Sequence, residues 1–173
     1  MISLGSISVS VLHAKHPFIP GYTSGSLNKK LSSPPWHLRD YRMDSCFSFL
    51  FKIGKLNFLF WNSTGNLNAT RADVLTCRAV SNRNWYERLL NQVQPTLVIP
   101  QHWDSLFESL SSNPRPFFDN PLSVFPLSRI DLQKFKSKIH DINPERTVLI
   151  PKIFQPYKIN ISTRENRNSV QYR

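Results

Sequence analysis

The chain has 173 residues, a hydrophobic fraction of 40% and a net charge of +11. That length fits one domain, and twelve Phe, five Tyr and four Trp supply ample material for its core. No apolar stretch reaches the roughly 20 residues of a membrane helix, and Met1–Ser10 lacks the basic start of a secretory leader.

Twenty-two Lys and Arg stand against eleven Asp and Glu, dispersed along the chain with no run of five like charges. A solvated basic surface is the simpler reading. Steering toward nucleic acid or another acidic partner is the alternative. Cys46 and Cys77 both sit in apolar, strand-like runs. They read as buried thiols of a reducing compartment, which favours a cytoplasmic protein.

In chain order, Ile7, Val9 and Val11 alternate with Ser8 and Ser10, the period of a half-buried strand. His13 lies at its end. Residues 17–45 then form a long Pro- and Gly-bearing stretch carrying Lys29, Lys30, Arg39 and Arg42. Two aromatic-rich runs, Cys46–Lys52 and Leu56–Asn62, flank Ile53-Gly54-Lys55 and predict a β-hairpin. Ser63-Thr64-Gly65-Asn66 is the loop after it. A short apolar strand is expected within 73–80. Asn84, with Glu87 three residues on, is expected to cap a helix whose apolar face carries Trp85, Leu89 and Val93.

Thr96–Ile99 reads as the next strand, so residues 73–100 form a right-handed, parallel βαβ unit. A short helix near Asp104–Leu110 and a Pro-rich link over 113–126 follow. Ser128 with Asp131 opens a further helix whose Leu132, Phe135 and Ile139 share a face, and Thr147–Pro151 is a last short strand. The domain is thus expected over residues 1–155, with a basic, disordered tail at 156–173.

The residues able to carry chemistry are His13, His16, His102, Asp104 and the Ser63–Asn66 loop. Each group follows a strand, so they could meet along one rim, where open α/β sheets place their sites. Imidazole is a common zinc ligand, and a catalytic zinc takes about three protein ligands and a water. The histidines supply two or three, and Asn66 is a poor ligand because it brings no negative charge.

The order of strand with His, long loop, hairpin, Thr64-Gly65-Asn66 loop, βαβ unit and Pro100-Gln101-His102 resembles the second half of metallo-β-lactamase-fold hydrolases. The resemblance covers about residues 5–110, and 145–151 more weakly. It implies an α/β fold: a partial αββα sandwich whose mixed sheet carries helices on one face. By the same resemblance His16, with His13 as the alternative, and His102 fall on metal positions. Asn66 falls where the family has a bridging Asp. The H-x-H-x-D-H signature that supplies most first-metal ligands is absent from the chain. An amide cannot cancel charge between two cations as a carboxylate does, so a two-metal zinc site is not expected.

The resemblance therefore implies a truncated or degenerate metal-dependent hydrolase, inactive as an isolated chain, with an incomplete zinc site. The alternative is a non-catalytic basic module for nucleic acid or another acidic partner. A half-sandwich would leave an aromatic sheet face on Phe47, Phe49, Phe51, Phe58 and Phe60, or the opposite face with Leu50 and Leu59, without its cover. Self-association or a complementary chain is then expected.

Overall fold

The computed structural model describes residues 2–15, 33, 46–63, 65, 67, 70–104, 113–116, 129–152, 154–160 and 169–172. Among these, seven strands form one mixed sheet in sequence order. They are β1 (Ile2–Leu4), β2 (Ile7–Ala14), β3 (Cys46–Ile53), β4 (Leu56–Trp61), β5 (Val74–Arg78), β6 (Leu97–Gln101) and β7 (Thr147–Val148). Pairing is antiparallel from β1 to β4 and parallel from β4 to β7. The chain is therefore α/β, with helices α1 (Arg83–Val93) and α2 (Leu132–Ile142).

Local chemistry explains the turns. Gly5 and Gly54 take φ of 61° and 58° at the β1–β2 and β3–β4 hairpin turns, a region glycine enters without a Cβ clash. The 46–62 hairpin forms as its pattern predicts, with Leu50 opposite Leu59 and Phe51 opposite Phe58. The β5–α1–β6 unit is likewise parallel, as the sequence order requires.

Strict alternation sorts the two faces. Leu50 pairs with Leu59, Leu59 with Leu75, Leu75 with Val98 and Val98 with Val148, a row running across five strands. All five belong to, or pack against, the main core, which includes Trp85, Tyr86, Leu89, Leu90 and Val93 of α1 and Phe135 and Ile139 of α2. Both helices therefore cover the same face. Fully burying a side chain such as Leu59 stabilises the fold by about 1.5–3 kcal/mol.

The opposite face carries a smaller core of Val74, Leu97 and Leu149, with Leu56, Phe58, Ile99, Tyr157 and Ile159 packed against it. Tyr157 and Ile159 come from a separate two-stranded ribbon of β8 (Tyr157–Asn160) and β9 (Ser169–Tyr172). In the basic tail read from sequence as disordered, the structure thus places an antiparallel pair whose Tyr157 and Ile159 pack against this smaller core. Toward β2 and β3 this face is more open: Phe47 is 49% and Val11 45% exposed.

Two helix starts differ from the sequence expectation. Asn82, rather than Asn84, caps α1, its Oδ1 accepting from the Trp85 N–H at 2.8 Å. Glu87 does not reach back to the cap and instead pairs with Arg83 at 2.7 Å, one turn earlier. Asp131 alone caps α2, accepting from the Gln133 and Lys134 N–H groups. The helix therefore begins at Leu132, because an aspartate in extended backbone satisfies two otherwise unpaired donors. At the other end of α1, the Leu90 carbonyl accepts the Gln94 N–H and also, at 2.9 Å, the Arg146 guanidinium. The short helix expected near 104–110 lies, beyond Asp104, outside the described residues.

Candidate functional site

Strands β2, β4, β5 and β6 all run the same way, so their carboxyl ends share one edge of the sheet. Ala14 and Lys15, Asn62 and Ser63, Arg78, and Gln101 and His102 stand along it. Among the described residues, Lys15 after β2, Asn62 and Ser63 after β4 and His102 after β6 lie along this edge.

Ser63 is the joint between the first two. Its side chain is buried, and its Oγ accepts from the Lys15 N–H at 2.7 Å and the Gly65 N–H at 3.0 Å. Position 65 has little room for a side chain, since an added Cβ would lie 3.2 Å from that same Oγ. Ser48, also buried, anchors the next residue by accepting from the Asn62 N–H at 3.3 Å.

Gln101 ties the third strand to the others. Its Nε2 donates to the Trp61 carbonyl at 2.9 Å, and its Oε1 accepts from the Thr76 hydroxyl at 3.3 Å. One amide therefore links the ends of β4, β5 and β6. The chain then turns sharply: His102 has φ of 54°, a left-handed conformation that an L side chain adopts at a cost. The turn brings the His102 Nε2 to 2.8 Å from the Asn62 Nδ2. His102 is exposed, and an amide donor facing its ring requires an unprotonated Nε2. With the amide turned over, the ring N–H would donate to the Asn62 oxygen instead.

Arg78 lies behind this edge. Its guanidinium stacks 4.7 Å over the Trp85 ring and donates to the Ser81 Oγ, while its Nε is buried without a hydrogen-bond partner. Burial is the main cause that lowers its pKa, opposed by Tyr86 and Cys77. Tyr86 donates to the Arg78 carbonyl at 3.2 Å. Burial pushes the Tyr86 hydroxyl upward and the neighbouring Cys77 thiol up to about 12. The Tyr86 hydroxyl and the Cys77 thiol are therefore neutral, while the Arg78 guanidinium keeps its charge. Cys77 is fully buried, as its apolar strand predicts.

The sequence-derived ligand set is brought together only in part. His102 stands at the rim. His13 is exposed on β2 one residue from Ala14, opposite Phe47, and its ring meets the Phe47 ring edge-on at 6.0 Å. Alternation with Leu12, which packs on the helix-covered core, puts His13 on the other face. Asp104 is exposed and its backbone pairs with Pro116. His16, Thr64 and Asn66 lie outside the described residues. Among the described residues no three His, Cys, Asp or Glu side chains come together as a metal group. Among the described residues the rim carries the His102 imidazole and the Asn62 and Gln101 amides.

Sequence reasoning missed Gln101 and Asn62. The only signal for them was position: each neighbours a residue singled out for chemistry, His102 or Ser63. Compared with models of known protein families, with curated proteins and with solved structures, the chain matches none. No helix among the described residues is long and apolar enough to cross a membrane.

Proposed function

We propose that the chain is a degenerate domain of the metallo-β-lactamase type, corresponding to one sheet of an αββα sandwich with its helices, and that alone it does not catalyse metal-dependent hydrolysis. One observation carries this reading. The carboxyl ends of β2, β4 and β6 share one edge of the sheet, which supports it, and their polar groups are tied to one another: Lys15 to Ser63, Trp61 and Thr76 to Gln101, and Asn62 to His102. A metal centre needs lone pairs aimed at a common point and negative charge to balance the cation. A web of neutral donors and acceptors holds the same strand ends without either. In this reading the rim is a clasp, and the fold serves as a scaffold.

Metal content and turnover test the proposal together. The purified chain is loaded with zinc, dialysed, and its metal measured; ester, lactone and phosphodiester substrates are then assayed. The expected result is much less than one zinc per chain and no zinc-dependent hydrolysis. Two tightly held zinc ions per chain, or turnover abolished by His102→Ala, would overturn it.

A further inference from the structure

Among the described residues, the β1–β4 half of the sheet is lined with aromatic rings on its second face and carries no carboxylate. Leu12 and Leu50 pack on the helix-covered core, so alternation sends Val9, Val11 and His13 of β2 and Phe47, Phe49 and Phe51 of β3 to the other side. Phe58 of β4 joins them, packed against the smaller core. The register sets these residues in rows: His13 beside Phe47, Val11 beside Phe49, and Val9 beside Phe51, which pairs in turn with Phe58. Val11, His13 and Phe47 are exposed, and Phe49, Phe51 and Phe58 are half-buried.

Charge decides what kind of partner suits this face. Residues 2–15 and 46–63 hold Lys15, Lys52 and Lys55, with no Asp or Glu. Lys52 and Lys55 are exposed at the hairpin end of the face and Lys15 at the opposite end. The described acidic residues, Asp73, Glu87, Asp104, Asp131, Asp141 and Glu145, belong to the rest of the chain. Of these, Asp73 meets the hairpin, its carboxylate accepting the Asn57 N–H at 2.8 Å. Within a net charge of +11, this half draws a polyanion and repels a second copy of the chain. Steering of this kind needs the charge of the lysines and no fixed contact from them.

We propose that this face stacks the bases of a single-stranded nucleic acid, with the lysines at its two ends drawing in the phosphates. Two residues of an antiparallel strand advance about 6.8 Å, and the Phe49 and Phe51 ring centroids lie 6.3 Å apart. Successive bases of a stacked strand are about 3.4 Å apart, so a strand laid along β3 exchanges base-on-base stacking for base-on-ring stacking. A duplex cannot make that exchange. Among these side chains only His13 can hydrogen-bond, so binding is tolerant of sequence. An acidic peptide would satisfy the lysines and leave the ring faces unused. The platform is separate from the clasp: zinc content and turnover report on the rim, and base stacking reports on the second face.

Fluorescence anisotropy of the full chain with a labelled oligouridylate of about 12 nucleotides, within the range one small domain covers, tests the proposal. The same strand annealed to its complement and phosphatidylserine vesicles are the comparisons. The single strand should bind saturably, about tenfold tighter than the duplex, and its affinity should fall as salt rises. Phe47→Ala should weaken it about tenfold, the loss of one stacked base, and Phe47→Trp should restore it. Lys55→Gln should lessen the salt dependence and leave the effect of Phe47→Ala in place. Absence of saturable binding, or equal affinity for the duplex, would overturn the proposal. So would an unchanged affinity in Phe47→Ala, because charge alone would then hold the strand. Binding to the vesicles without binding to the oligonucleotide would overturn it in favour of a membrane surface.

Discussion

The left-handed turn at His102 makes opposite demands on two substitutions that look alike. His102→Ala keeps the residue's φ of 54° and removes the 2.8 Å contact with Asn62. An exposed side-chain hydrogen bond contributes about 0.5–1.5 kcal/mol, and the solvent-facing position favours the lower half of that range. His102→Gly loses the same contact, but glycine enters the left-handed region freely, where an L residue forfeits roughly 1–2 kcal/mol. The alanine variant should therefore unfold about 1 kcal/mol more easily than the parent, and the glycine variant should lie close to the parent. Urea denaturation followed by tryptophan fluorescence and far-ultraviolet circular dichroism measures both, with equal slopes required for the comparison. A glycine variant no more stable than the alanine variant would refute the reasoning, because φ at position 102 would then carry no strain.

Burial should make Cys77 a pH-dependent element of stability. Its pKa is raised from 9.0 to about 12, so the contribution is complete below about pH 9 and is lost as pH rises toward 12. The stability difference between the parent and Cys77→Ala should therefore shrink between pH 8 and pH 10.5 in guanidinium titrations; a difference that stays constant would show that the thiol is not desolvated. The two faces of the hairpin should also respond unequally to truncation. Leu59→Ala, at a position with 0% exposure, should cost about 2–5 kcal/mol. Phe47→Ala, at 49% exposure, should cost about 1 kcal/mol or less. Equal losses would mean that both faces of β3 and β4 are covered alike.

The parts of the fold that were legible in the sequence are those where one period dominates. Phe47, Phe49 and Phe51 alternate with Ser48 and Leu50, and the hairpin and its two faces follow. Trp85, Leu89 and Val93 repeat at helical spacing, and α1 forms there. The helix starts were less legible because capping depends on backbone conformation as well as residue type. Asn82 and Asn84 are equally good caps by composition, and only Asn82 takes the extended conformation, at ψ 162°. The β8–β9 ribbon was illegible because Tyr157 and Ile159 alternate with polar residues in a stretch too short and too basic to distinguish from solvated chain. Their place is set by Leu149, Val74 and Leu97, which need cover on the second face.

The candidate site was legible as a location and not as a chemistry, for a reason that lies in Asn62. Strand ends and a Pro100-Gln101-His102 segment fix where an imidazole will stand, whereas its use depends on what faces it 40 residues away in sequence. An imidazole ligates metal through an unprotonated nitrogen. If the Asn62 amide donates, the Nε2 lone pair is occupied; if the amide is turned over, Nε2 carries the proton that Asn62 accepts. In either arrangement Nε2 cannot ligate while the contact stands. A metal at Nε2 and the Asn62 contact therefore exclude each other, and Asn62→Ala, which loosens the clasp, would also free Nε2, whereas with the amide turned over it is Nδ1 that keeps its lone pair.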